Sequence, residues 1–387
     1  MVGGRRSLMR LVIPKLVVLD SATLGKVSRD YWSPDEAPKA KARAFVARLV
    51  EHSVFVAVTM THVSELLRHN DDRLVRHRLA FLRALPFIAW LRPYDRNWFP
   101  GGIPDLWRRE LHAVVYGGKR GWRSIVDSVR ADLWETGTGA EMFDNDRLWF
   151  RLRQVWKRQH RDEKYIASIA RTDPGQMSHL TIAEVEHLPR RSKEDLAKFI
   201  PQFVANMQMQ LERHGDRRLE SPQRAAFAFS RATMHDVDRF ETAGGDPLDR
   251  MLEHHEIPKD LMTLGMTVAD LGQLAIYTSQ LKLIGGHLEP PAFVTIRDVP
   301  PDTLPSFVLQ RRLSAIQRDA VRVSGSDLGD GHIAPLTLYV DGLEVDKRTC
   351  EFLKQIQRAD ESLAALMQPF FRSTDYGGIP DRFAPVP

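Results

Sequence analysis

Four acidic residues stand where one fold could gather them: Asp20 closing the run KLVVLD, Glu65 in THVSELLRHN, Asp330 in GSDLGDGHIA and Asp346 closing GLEVD. In an open parallel sheet the crevice beyond the C-terminal strand ends takes the ligand, so an aspartate ending a strand is aimed at it. If the strands before Asp20 and Asp346 are neighbours, the two carboxylates face one crevice. Glu65, about a turn into a helix, and Asp330, just ahead of one, could join them from the same edge. Four carboxylates that close repel and raise one another's pKa unless a cation neutralises them. An all-oxygen donor set suits Mg²⁺ or Mn²⁺ better than Zn²⁺. Such an ion can polarise a phosphodiester, activate a water and neutralise charge on the leaving oxygen. Each acid also has a structural alternative. An aspartate at a strand end serves as a turn residue or helix cap, Asp327 could cap the following turn, and Glu65 could be a solvated helix residue.

The elements that would position these acids are legible as hydrophobic periodicity. Lys15 to Asp20 and Val54 to Met60 are β-branched runs, and FIAWL at 87–91 is a third strand. Between them, Ala40 to Glu51, Thr61 to Asn70 and Asp72 to Leu85 have apolar residues at helical spacing. Strands alternating with helices imply a parallel sheet with crossovers. From Pro100 to Pro305 the chain reads as mostly helical, with PAFVTI at 291–296 as a β-branched run. The α/β pattern returns with a helix over Ser306 to Ala320, the strand GLEVD and a helix over Thr349 to Arg358. Three parts follow: residues 1–99 as the first half of an α/β core, 100–305 as a mostly helical insertion or second domain, and 306–387 as the second half and tail.

Taken together, VVLD-S at Asp20, VTMTHVSELL with Glu65, SDLGDGHIA with Asp327 and Asp330, and VDKRT with Asp346 resemble the PIN-like superfamily of metal-dependent ribonucleases. The match spans residues 14–92 and 306–358. The resemblance implies a three-layer α/β core with a parallel sheet and an acidic pocket for one or two Mg²⁺ or Mn²⁺. It makes Asp20, Glu65 and Asp330 the metal-binding acids and Asp346 the fourth acid, holding the metal or its water. Asp327 competes with Asp330 for the third position; Ala334, four residues after Asp330, favours the latter, because small residues stand there in the family. Pro335 falls where the family has an uninterrupted helix, so that helix must start late or bend. The implied activity is endonucleolytic phosphodiester hydrolysis, with RNA favoured over single-stranded DNA. Because a cell must restrain such an activity, a toxin or phage-defence role with a regulatory partner is a further expectation.

A basic helix supports a polyanionic partner. In RLWFRLRQVWKRQHRDEK, residues 147–164, Arg147, Arg151, Arg158 and Arg161 fall on roughly one face, interleaved with Trp149, Phe150 and Trp156. Such a face could follow phosphates while the rings stack on bases; the alternative is an amphipathic helix with core aromatics and solvated cations. Lys347 and Arg348 follow Asp346 directly and could meet a substrate phosphate. Smaller pairs, Arg5-Arg6 and Arg190-Arg191 among them, are ambiguous. The net charge of +5 is modest, since 55 bases face 50 acids, so local clusters have to carry the argument.

The single cysteine, Cys350, excludes an internal disulfide and a multi-cysteine zinc site and fits a reducing compartment. Leu11 to Leu19 is too short and too interrupted for a membrane span. Without a secretory signal, a cytoplasmic location is expected. No HExxH pair, Walker loop, GxGxxG after a strand or serine elbow is present, which removes the functions those motifs carry. Ala22 occupies the position where a HAD-type phosphatase needs its second aspartate. The competing expectation is a non-catalytic nucleic-acid-binding or assembly module that keeps the PIN-like shape.

Overall fold

The structure, a computed structural model, describes residues 14–384 except 96–98, 170–171, 174–176, 188–192, 217–218, 243–245, 264 and 320–325. The pairs Arg5-Arg6 and Arg190-Arg191 lie outside the described residues, as do the side chains of Arg161, Asp327 and Asp330. The chain begins β1 (Lys15–Val18), α1 (Ser21–Tyr31), α2 (Glu36–Glu51), β2 (Val54–Val58), α3 (Met60–Leu67), α4 (Asp72–Ala84) and β3 (Ile88–Leu91). It continues with α5 (Ile103–Val115), α6 (Trp122–Arg130), β4 (Trp134–Gly137), α7 (Gly139–Phe143) and α8 (Asp146–Ile169). Then come α9 (Ile182–Glu186), α10 (Lys193–His214), α11 (Pro222–Thr242), α12 (Pro247–His255) and α13 (Val268–Gly286). The last stretch holds α14 (Pro305–Asp319), α15 (Ser326–Ile333), β5 (Gly342–Glu344), α16 (Lys347–Ala359), α17 (Glu361–Ala364) and β6 (Phe370–Phe371).

The fold is α/β. Its six strands lie in the order β4-β3-β2-β1-β5-β6. All neighbours pair in parallel except β4, which runs antiparallel to β3. The chain leaves β1 towards β2 and β3 on one side and returns on the other as β5, so the strand order reverses between β1 and β5. That reversal is the switch point at which open α/β sheets form their crevice.

The inner strands are largely buried on both faces, and their side chains alternate between two cores. Val17, Leu19, Val56, Val58, Ile88 and Trp90 point to a layer that includes α1 to α4, α7 and α8. Val18, Ala57, Ala89 and Leu91 point to the other, where α5, α6, α13, α14 and α16 pack. Fully burying each such Val, Leu or Ile contributes about 1.5–3 kcal/mol relative to exposure. Helices on both faces make three layers. Residues within the 100–305 segment take part in this core: β4 extends the sheet, α5, α6 and α13 cover one face, and Trp149 and Trp156 of α8 enter the other. Two small clusters, one around Met207 and Leu211 and one around Leu252 and Leu271, lie apart from it.

Three local expectations change. PAFVTI forms no strand; residues 291–296 run as a loop and turn, with Val294 and Ile296 buried against α13 and its neighbours. A loop suffices there because the run is used for its apolar surface. Residues 21–31, where no helix was expected, form α1, since Asp20 accepts the Ala22 N–H and starts it. Asp330 stands inside α15 rather than ahead of a helix. That helix ends at Ile333, just before Pro335, and Ala334–Leu338 tightens into a 3₁₀ turn.

Candidate functional site

The carboxylates of the switch point are organised by helix caps. Asp20 follows β1 and caps α1: its Oδ1 accepts the Ala22 N–H at 3.0 Å. Asp346 follows β5 and caps α16, accepting the Thr349 N–H at 2.6 Å. Both therefore behave as the helix-cap alternative requires, yet their positions beyond adjacent parallel strands also bring them to the same edge. The charge of Asp346 helps to raise the Asp20 pKa, although burial is the larger cause and the Ala22 hydrogen bond opposes both.

Glu344, the last residue of β5, is the member that sequence reasoning missed. It is 3% exposed. Its Oε2 accepts the Asp20 N–H at 3.0 Å and its Oε1 accepts the Thr23 hydroxyl at 2.9 Å, tying the β1–α1 corner to β5. Burial pushes its pKa up to about 7, and the nearby Asp20 charge adds to the rise. The available signal was an acid inside the apolar run GLEV, where a charged residue is costly unless it has partners.

Glu65 reaches the edge from α3. Thr59 and His62 start this helix: the Thr59 N–H donates to His62 Nδ1 at 3.0 Å, and burial holds the imidazole near a pKa of about 4, neutral and structural. Glu65 lies 3.7 Å from Arg68 and beside Ser21. Burial raises its pKa, with the charges of Asp20 and Glu163 adding, while Ser21 and Arg68 oppose the rise. Burial is the largest cause of each of these rises, and Asp20 is the acid that adds to those of Glu344 and Glu65 and is itself raised further by Asp346.

α15 closes against this group. A Cβ on Gly329 would sit 2.3 Å from Glu65 Oε1, so the helix backbone approaches the carboxylate because glycine leaves it room. Asp327 and Asp330 belong to the same helix. Among the described residues no group of three or more His, Cys, Asp or Glu is placed to hold a metal ion. The donor chemistry, carboxylates with raised pKa values, is nonetheless what a hard divalent cation would relieve.

The basic helix α8 resolves into an inner and an outer face. Trp149 and Trp156 are buried in the core, so they offer no stacking platform, and Phe150 is half-buried beneath Arg76 and Arg153. Arg147, Arg151 and Arg158 are exposed, Arg158 at the cavity that α8 forms with α3 and α4. Arg153, unremarked in the sequence, is 2% exposed. It donates to the carbonyls of His69 and Asn70 and, at 2.6 Å, to Asp72, fixing α8 to the turn between α3 and α4. Near the end of α8, Glu163 bonds Arg68 at 2.8 Å, and Arg68 in turn faces Glu65. At the head of α16, Lys347 is exposed and Arg348 half-buried. A cavity of about 1100 Å³ opens beside Glu65, walled by α3, α4 and α8.

The chain matches no protein-family model, no curated protein and no solved structure. No helix among the described residues is long and apolar enough to cross a membrane.

Proposed function

We propose that this protein is a PIN-like, divalent-metal-dependent endonuclease acting on RNA, with Asp20, Glu65, Asp330 and Asp346 as its acids and Glu344 holding Asp20 in place. The observation that carries the reading is geometric: Asp20 and Asp346 end adjacent parallel strands at the strand-order reversal, Glu344 accepts the Asp20 N–H, and burial, with a smaller addition from neighbouring acids, raises the pKa values of Asp20, Glu65 and Glu344. Carboxylates held in that state favour a cation at neutral pH. Bound there, Mg²⁺ or Mn²⁺ would activate water and neutralise charge on the phosphate. Asp20 and Asp346 each spend one oxygen on a cap and keep the other for the ligand. Glu344 fixes the Asp20 backbone, and Glu65, beside Ser21 and facing Arg68, would supply an acid from α3. Exposed Lys347 and half-buried Arg348 flank the same edge and would meet phosphate.

The test is cleavage of single-stranded RNA with Mg²⁺ or Mn²⁺ by the full chain and by Asp20→Asn. Asparagine caps a helix about as well as aspartate, so this variant keeps α1 and removes only the charge. Loss of cleavage with an unchanged melting temperature supports the reading; cleavage that survives the substitution or chelation refutes it. Growth arrest on expression, relieved by Glu65→Gln, would extend it to a toxin or defence role.

A second reading is favoured by the capping duty of Asp20 and Asp346. It is a non-catalytic nucleic-acid-binding or assembly module. Binding would then survive both Asp20→Asn and EDTA.

A further inference from the structure

We propose that the cavity between α3, α4 and α8 is a binding site for a polyphosphate-bearing ligand, recognised through its phosphates. The cavity shares Glu65 with the proposed cleavage site, but the proposal needs no bound metal and no cleavage.

The charges lining the cavity are unequal. Arg68 is satisfied by Glu163 and Glu65. With Glu65 taken up by Arg68, that leaves Arg78, Lys157 and Arg158 against Glu220, with Asp72 acting on Lys157 from outside the lining. Among the described residues none of these three cations has an acid within ion-pair distance. Arg78 is the most constrained. Its Nη1 donates to the Leu66 carbonyl at 2.7 Å, while its buried Nε has no hydrogen-bond partner. It also forms a wall of a second cavity, about 360 Å³, with Lys26 and Arg29 of α1. Arg29 is a like charge near enough to push the Arg78 pKa down, on top of burial. Arg29 and Arg78 both line the smaller cavity and repel, so an anion bound between them would offset that repulsion.

The shape selects the chemistry further. The described lining of both cavities holds no Phe, Tyr or Trp, so a base has nothing to stack on. His69 and His160 also line the larger cavity, each with its Nδ1 hydrogen-bonded within the protein. The volume of that cavity exceeds that of one phosphate, and Arg78, shared by both cavities, suits a chain of phosphates lying across it. Such a chain has two sources: a free polyphosphate, or the phosphorylated end of a nucleic-acid strand.

The experiment is calorimetric titration of the full chain in EDTA at low salt with tripolyphosphate, and with oligonucleotides bearing a 5′-triphosphate or a 5′-hydroxyl. Tripolyphosphate binding, weakened at least tenfold by Arg158→Ala combined with Lys157→Ala and unchanged by Arg147→Ala, is the expected result. Arg147 is exposed on the same helix but outside the lining, and melting temperatures of the variants check their folding. A 5′-triphosphate strand that binds much more tightly than its 5′-hydroxyl counterpart identifies a strand end as the source. Tripolyphosphate binding without that preference identifies a free polyphosphate. No tripolyphosphate binding, or binding indifferent to the double substitution, overturns the proposal. Because metal is absent throughout, failure here leaves the cleavage reading standing, and the reverse also holds.

Discussion

Replacing Gly329 by alanine separates the geometry of the site from the stability of the fold. The added Cβ would fall 2.3 Å from Glu65 Oε1, where ordinary contact begins at 3.4 Å, and the next atom it meets, Glu65 Cδ, is already at 3.4 Å. The far end of one flexible side chain is the obstacle, so the Glu65 carboxylate must retreat by about 1 Å while the helix stays put. Displacing a reacting group by about 1 Å can cost ~100-fold in rate, or about 2.7 kcal/mol of barrier. Alanine within a helix is favoured over glycine by about 0.8–1.0 kcal/mol, which offsets the disturbance. Gly331→Ala is the matched control: it lies in the same helix, and its Cβ would meet nothing within 4 Å. The assay pairs Mn²⁺-dependent cleavage of single-stranded RNA with thermal unfolding. Gly329→Ala should lose about two orders of magnitude in cleavage with a melting temperature near that of the parent, and Gly331→Ala should keep full activity. Equal activity in the two variants would refute the placement of Glu65 in the chemistry.

Three other outcomes follow from buried groups. Glu110, fully buried, accepts from the Ser306 N–H and hydroxyl and from the Tyr339 hydroxyl, and burial pushes its pKa up to about 7 from an ordinary 4.5. Between those values the folded chain holds a proton that the unfolded chain has lost, so stability falls as pH rises through this window and stays low above it; Glu110→Gln should flatten up to about 3 kcal/mol of that dependence in denaturant titrations. Arg153→Lys should destabilise by roughly 2–3 kcal/mol in the same titrations, because one ammonium cannot serve two carbonyls and a carboxylate in a planar fork; wild-type stability in this variant would mean that α8 is held by its tryptophans alone. Since Asp20 and Glu65 have raised pKa values, Mn²⁺ uptake should release protons and tighten as pH rises, read as a buffer-dependent heat in calorimetry; a heat independent of buffer would place the ion elsewhere.

The alternation that made β1, β2 and β3 legible is the same one that divides the two cores, because a side-chain period of two needs only local sequence. α1 escaped notice because Ser21, Gly25 and Ser28 are buried small residues, so its inward face carries little apolar contrast. β4 was hidden for a different reason: WETG has one buried residue, and its place is set by pairing with β3 rather than by its own pattern. Of the site, the convergence of Asp20 and Asp346 could be inferred from strand ends. Glu344 could not, since its role depends on the Asp20 N–H and the Thr23 hydroxyl, more than 300 positions away in the chain. Arg153 was likewise indistinguishable from its solvated neighbours until helical phase set it on the inner face with Trp149 and Trp156.

That inner face gives α8 a part in the site that its outer arginines do not suggest. Trp149 and Trp156 seat the helix in the core, and Arg153 locks it to the turn that ends α3. From there Glu163 holds Arg68, and Arg68 faces Glu65, so two ion pairs link the far end of α8 to the site acid. Both pairs are partly buried, and their contribution to stability is modest. Their effect is instead on charge: burial is the main cause of the raised Glu65 pKa, and on top of it Arg68 lowers the pKa while Glu163, from α8, raises it. Since α10 packs on α8, whatever displaces that part of the helical segment can alter the ionisation of Glu65 without touching it. The link predicts that Glu163→Gln lowers the Glu65 pKa, and the acid limb of the cleavage pH profile should move with it.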